Sequence, residues 1–148
     1  GRANADIDAV HPVTELDQLL PETDLLFMSL PSVSDTVNIL NADRMALLPK
    51  GAYVINVGRG TAIDQDALIK ALDSGHLAGA ALDVVVPEPL PADHPLRKAK
   101  NLLLTPHVAG NMTLGYTCER NVQLFCENLE NYAAGRPMHH LVDRRKGY

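Results

Sequence analysis

Tryptophan is absent from this 148-residue chain, aromatic residues make up only 4% of it, and there are just two cysteines. A core built without large rings has to be aliphatic, and the 46% apolar content is ordinary for one globular domain. Cys118 and Cys126 lie eight positions apart in a segment with helical patterning. At about 1.5 Å rise per residue they would stand roughly 12 Å apart along the axis, too far for a disulfide. Neither has a second Cys or a His at ligand spacing, so a metal site is not expected, and both are read as buried or half-buried thiols. Positive charge is scarce too: 13 Lys and Arg face 18 Asp and Glu, for a net charge of −5. Beyond Arg144-Arg145-Lys146 there is no basic stripe, which argues against a nucleic-acid partner. No apolar run is long enough to span a bilayer and no secretory pattern opens the sequence, so a cytoplasmic location is the default.

One further absence shapes the reading. A dinucleotide-binding unit usually carries G-x-G-x-x-G between its first strand and first helix. Here Gly58-Arg59-Gly60 is followed by Thr61-Ala62-Ile63, and Gly75 to Gly79 lacks the spacing. Nothing resembling a strand precedes Gly1 to Asp6. The sequence reads like a domain whose beginning has been removed.

What is present alternates regularly. A short helix is expected over Val13 to Glu22 with Thr14 as its cap, then a strand over Asp24 to Leu30, ended by Pro31. A helix with an irregular start is expected over Thr36 to Leu48, and a strand over Ala52 to Val57. Asp64 is the natural cap of the next helix, with Leu68, Ile69 and Leu72 facing the core and Gly75 closing it. Leu77 to Val84 and Asn101 to Thr105 read as strands, separated by the proline-dense loop Val86 to Pro95. A long helix over about Thr113 to Ala134 ends at Gly135 and Pro137. Met112, Leu114, Val122, Leu124, Phe125 and Leu129 give that helix an apolar face suited to a core or an interface. Strand and helix in alternation imply βαβ units, and the near-continuous apolar strands imply a parallel sheet covered on both faces.

Three residues stand just beyond such strands: Arg59, Glu88 and His107. Ligands of open parallel sheets bind beyond the carboxyl ends of the strands. A guanidinium suits a carboxylate ligand, and a His with a carboxylate partner can move a proton. Taken singly, Arg59 could be a surface arginine in a glycine turn, Glu88 a rigid loop residue, and His107 a helix-approach residue. Their joint delivery to one edge favours a site. His76, His94, His139 and His140 show no metal spacing and read as structural, solvent-exposed residues.

Four landmarks, in order, are Leu30-Pro31 with Thr36, Lys50 to Gly60, Gly79 to Val84 running on to Glu88-Pro89-Leu90-Pro91, and Thr105 to Gly110. Together they resemble the D-isomer-specific 2-hydroxyacid dehydrogenases across nearly the whole chain. The resemblance implies a Rossmann-like α/β domain lacking its first strands and glycine-rich turn, so that residues 1–148 form the later part of an NAD(P)-binding domain. The substrate domain would lie outside this chain. Val33 stands where many relatives carry a threonine.

By the same resemblance, Arg59 would bind the carboxylate and carbonyl of a small 2-oxo acid. His107 would protonate that carbonyl, and Glu88 would orient the imidazole and stabilise its charged form. Asp83 would contact the nicotinamide carboxamide. Pro31, Thr36, Asn56, Val57, Gly58, Arg59, His107 and Gly110 would line the NAD or NADP groove, with no metal. Arg2 lies near where a 2′-phosphate could be read. A homodimer through the nucleotide domain is implied. Two other functions fit the fold: a nucleotide-sensing assembly module like the family's corepressors, and formate dehydrogenase. The latter carries glutamine where Glu88 stands.

Overall fold

The computed structural model describes residues 7–110 and 114–147, which fall into two compact units divided between Pro106 and His107. The expectations placed on Arg2, Met112 and Thr113 lie outside the described residues.

The first unit holds a four-stranded parallel sheet in the order β1-β2-β3-β4, with β1 Leu25–Met28, β2 Tyr53–Asn56, β3 Gly79–Leu82 and β4 Leu102–Leu104. Every strand therefore points its carboxyl end at the same edge. The register is strict: Met28, Asn56, Leu82 and Leu104 pair across the sheet in one row, so the segments that follow them leave from one line. Three α-helices belong to this unit, α1 Leu16–Leu19, α2 Ala42–Leu47 and α3 Gln65–Asp73. Its core is aliphatic, with Leu20, Leu40, Met45, Val54, Leu68, Leu72, Leu77, Leu82 and Leu96 all at 2% exposure or less.

Several elements form for the expected reasons. The Asp64 carboxylate accepts the Ala67 N–H at 3.0 Å, which caps α3. Leu68 and Leu72 are buried and Ile69 packs against them. Gly75, at φ +71°, closes the helix in the left-handed region that disfavours a side chain. Others differ. Thr14 caps nothing: the first helical stretch starts from Pro12 and runs as a 3-10 turn, one turn of α-helix and another 3-10 turn through Glu22. The helix expected over Thr36 to Leu48 is only Ala42–Leu47. Leu40 is instead drawn into a parallel bridge with Ile63, and the Asn41 side chain accepts the Arg44 N–H at 3.0 Å, so the helix begins after it.

Burial alternates along the strands. Met28, Val54, Ala80 and Leu82 are buried, while Leu25, Phe27, Tyr53 and Leu103 are each more than half exposed. Within this unit, then, one face of the sheet is covered, and the second apolar face is open.

The second unit contains α4, Gly115–Ala133, closed by Gly135 at φ +65°. The Asn128 carboxamide bonds both backbone groups of His139, holding the following segment against the helix. The expectation of buried thiols fails: Cys118 and Cys126 are free and exposed, because the helix has more faces than this small unit can cover. Val122, Phe125 and Leu129 are exposed for the same reason, so they are not core of this unit. Among the described residues no helix is long and apolar enough to cross a membrane.

Candidate active site

Three loops leave the carboxyl edge of the first unit's sheet, and each is tied to the next. The loop after β1 carries Pro31 and Thr36. The Thr36 hydroxyl donates to the Pro31 carbonyl at 2.6 Å and accepts the Val33 N–H at 3.1 Å, so this threonine shapes the loop from within. Ser32 and Thr61 share a hydrogen bond of 3.0 Å between their hydroxyls, and the Asn38 N–H donates to the Thr61 carbonyl at 2.8 Å. The first loop is thereby pinned to the second.

That second loop is Val57 to Thr61. Asn56 ends β2 wholly buried, where an amide without partners would cost about 1–3 kcal/mol. It has two: its Nδ2 donates to the Arg59 carbonyl at 2.9 Å and its Oδ1 accepts the Gly58 N–H at 3.0 Å. The side chain thus closes the turn that presents Arg59. Both flanking glycines are required, though not for an unusual φ. A Cβ on Gly58 would lie 2.5 Å from the Leu30 nitrogen, and one on Gly60 would lie 2.4 Å from the Val85 carbonyl carbon. Neighbouring backbones fill the space a side chain would need. Arg59 itself is exposed, with Nη1 donating to the Gly58 carbonyl at 2.7 Å. Its planar guanidinium is the kind of fork that grips a carboxylate.

The third loop runs from Asp83 to Pro91. Asp83 is 6% exposed, and the Thr105 hydroxyl donates to its Oδ1 at 2.5 Å. An oriented, buried acceptor at the sheet edge suits an amide donor such as the nicotinamide carboxamide. Glu88 is exposed, with its Oε1 accepting the Val85 N–H at 2.9 Å. Gln65, at the start of α3, pairs with both backbone groups of Val86, and Arg97 donates to the Leu90 and Pro91 carbonyls. The structure therefore brings Pro31, Thr36, Asn56, Val57, Gly58, Arg59, Asp83 and Glu88 to one edge of the first unit.

His107 and Gly110 belong to the second unit. His107 follows the end of β4 by three positions, is exposed, and holds a left-handed φ of 56°. That conformation is uncommon for a residue with a side chain and is found preferentially at functional positions.

His76 and His94 are half-buried structural residues of the first unit. The His76 ring bonds the Met45 carbonyl at 3.0 Å, and His94 Nδ1 accepts the Leu96 N–H at 3.2 Å. Among the described residues no three His, Cys, Asp or Glu side chains lie together as a metal site. Gln65 and Thr105 escaped the sequence reading as site residues. Gln65 looks there like any first residue of a helix, and Thr105 carries no signal beyond its place in a shared landmark.

A nicotinamide cofactor fits these residues: the buried Asp83 carboxylate, oriented by Thr105 at the carboxyl edge, is an acceptor for the carboxamide. The family model for the NAD-binding domain of D-isomer-specific 2-hydroxyacid dehydrogenases matches residues 2–109. A glyoxylate reductase of Thermofilum pendens is 44% identical over 107 residues, which is 70% of this chain and 32% of that protein. Glyoxylate/hydroxypyruvate reductase A of Salmonella newport is 37% identical over 134 residues, 90% of this chain and 42% of its own length. A D-isomer-specific 2-hydroxyacid dehydrogenase of Xanthobacter autotrophicus, solved in complex with NADPH and MES, superposes with a TM-score of 0.88 at 38% identity. The match covers 100% of this chain and 60% of that one. These curated reductases are matched over about a third to two fifths of their length.

Proposed function

Since the chain belongs to the D-isomer-specific 2-hydroxyacid dehydrogenase family through its NAD-binding domain, we propose that it is the nucleotide-binding part of a reductase. The substrate would be a small 2-oxo acid of the glyoxylate or hydroxypyruvate kind. The observation that carries this is the pinned carboxyl edge, where Asn56 and the two close-packed glycines present Arg59, and the adjoining loop presents Glu88. Bound NADH or NADPH supplies a hydride to the substrate carbonyl carbon. Every other role falls to the protein.

Arg59 holds the substrate carboxylate and fixes which face of the carbonyl is presented. His107, in its charged form, donates a proton to the carbonyl oxygen as charge develops there, and takes it back in the reverse direction. Glu88 hydrogen-bonds the imidazole, orients it and stabilises its positive charge. Asp83, held by Thr105, accepts from the nicotinamide carboxamide. Backbone of Asn56, Val57 and Gly58, the Pro31–Thr36 loop and Gly110 line the groove. Two solved relatives are described with NADPH or NADP, which supports acceptance of the phosphorylated cofactor.

The exposed Val122, Phe125 and Leu129 of α4 support a homodimer. The test is NADH and NADPH oxidation by the full-length protein with glyoxylate, hydroxypyruvate and pyruvate. Turnover with at least one of them is expected. Tight cofactor binding with no turnover on any would instead favour the nucleotide-sensing assembly module.

A further inference from the structure

Gln65 is the first residue of α3, directly after the Asp64 cap. Its carboxamide pairs with both backbone groups of a single residue, Val86, 21 positions away. The Nε2 donates to the Val86 carbonyl at 2.5 Å, and the Oε1 accepts the Val86 N–H at 2.9 Å. This is the two-bond pairing that a neighbouring strand would offer, delivered by one side chain. Because both donor and acceptor are used, the contact fixes the orientation of Val86 as well as its position.

Val86 adjoins the group that matters. The preceding N–H, of Val85, donates to Glu88 Oε1 at 2.9 Å, so the carboxylate takes its direction from the same two residues that Gln65 and Gly60 hold. Gly60 packs on the Val85 backbone from the Arg59 turn, and Gln65 grips Val86 from α3. Arg97 holds the far end of the loop through the Leu90 and Pro91 carbonyls, at 2.7 and 2.8 Å. Around the Gln65–Val86 pair the titratable side chains are Asp64, Asp66 and His94. Asp64 is occupied in capping α3 and His94 Nδ1 in capping a 3-10 turn, and both backbone groups of Val86 are taken by Gln65 rather than by any of the three.

We infer that Gln65 is a positioning residue: through Val86 and Val85 it aims the Glu88 carboxylate. The inference rests on the reading of Glu88 as the partner of His107. Without the clamp, Glu88 spends less time directed at the imidazole and the imidazolium loses stabilisation. The proton donor is then lost at lower pH.

The experiment is the pH profile of kcat/KM for glyoxylate reduction by the full-length enzyme, for wild type, Gln65→Met, Gln65→Glu, Glu88→Gln and the Gln65→Met/Glu88→Gln double variant. Reduction needs the protonated imidazole, so activity falls as pH rises. Gln65→Met keeps the length of the side chain and removes both bonds. It should lower kcat by about 10-fold, a fraction of the roughly 100-fold or more that general acid–base catalysis contributes, change KM for NADPH less than about twofold, and move the descending limb to lower pH. Gln65→Glu keeps the acceptor but turns an oxygen on the Val86 carbonyl, and should move the limb the same way. The double variant should lie no further than Glu88→Gln alone, because the clamp acts only through that carboxylate. A limb that moves in Glu88→Gln but stays in both Gln65 variants overturns the positioning role and leaves the reading of Glu88 intact. A limb unmoved in Glu88→Gln overturns that reading, and the positioning role with it.

Discussion

Replacing Gly60 by alanine tests whether the Arg59 turn and the Glu88 loop really meet backbone to backbone. The added Cβ would lie 2.4 Å from the Val85 carbonyl carbon, 2.5 Å from its oxygen and 2.7 Å from its Cα. Carbon atoms settle about 3.5–4 Å apart, so one of the two backbones must withdraw by roughly 1 Å. No flexible side chain can absorb the clash. The segments that would move carry Arg59 on one side and Glu88 on the other. A displacement of about 1 Å at reacting groups can cost on the order of 100-fold in rate. Overpacking of this kind costs about 1–3 kcal/mol of stability. In the full-length protein, Gly60→Ala should therefore lose about 100-fold in kcat for glyoxylate and show a lower urea midpoint with unchanged slope. Gly115→Ala is the control, since a Cβ there meets nothing within 4 Å. Its activity should be that of wild type, and its stability equal or slightly higher. A Gly60→Ala protein with wild-type turnover and urea midpoint would refute the close approach, and with it the pinned edge.

Other outcomes follow from the same geometry. Asn56→Asp leaves the acceptor for Gly58 but puts a buried carboxylate oxygen against the Arg59 carbonyl, so it should destabilise by about 3–5 kcal/mol at neutral pH in urea unfolding. That new carboxyl can replace the lost donor only when protonated, which raises its folded-state pKa. The deficit should therefore be smallest below about pH 4 and grow as pH rises. His107→Ala should lower turnover by about 100-fold or more with little change in NADPH affinity measured by fluorescence titration. Arg59→Lys should raise KM for glyoxylate and lower kcat, because an ammonium cannot form the bidentate fork. Unchanged kinetics in both would point to a non-catalytic module.

The sheet was legible because its strands are short apolar runs ended by punctuation that has one meaning. Pro31 cannot continue β1, and Asp64 and Gly75 bracket α3 with a cap and a left-handed stop. The placement of Arg59 and Glu88 at the carboxyl edge followed from topology, since parallel strands send all their exits one way. Features that depend on partners distant in sequence were not legible. Helix α2 starts late because Leu40 pairs with Ile63, 23 positions on, a bridge that local patterning cannot announce. The glycines beside Arg59 suggested a tight turn, whereas the structure shows they make room for the Leu30 and Val85 backbones. Gln65 was invisible as a site residue because its whole contribution lies in the backbone of a residue 21 positions away. The exposed cysteines of α4 mislead for a related reason: helical periodicity shows which residues share a face, not which face a neighbour covers.

The most direct test of the central claim is a crystal structure of the full-length protein with NADP and oxalate, a carboxylate-bearing mimic of glyoxylate. The Arg59 guanidinium should form a two-bond fork on one oxalate carboxylate, with the His107 ring within hydrogen-bond distance of the oxygen that stands for the substrate carbonyl and Glu88 on the opposite ring nitrogen. Oxalate bound away from Arg59, or Glu88 directed to solvent with His107 unpartnered, would contradict it.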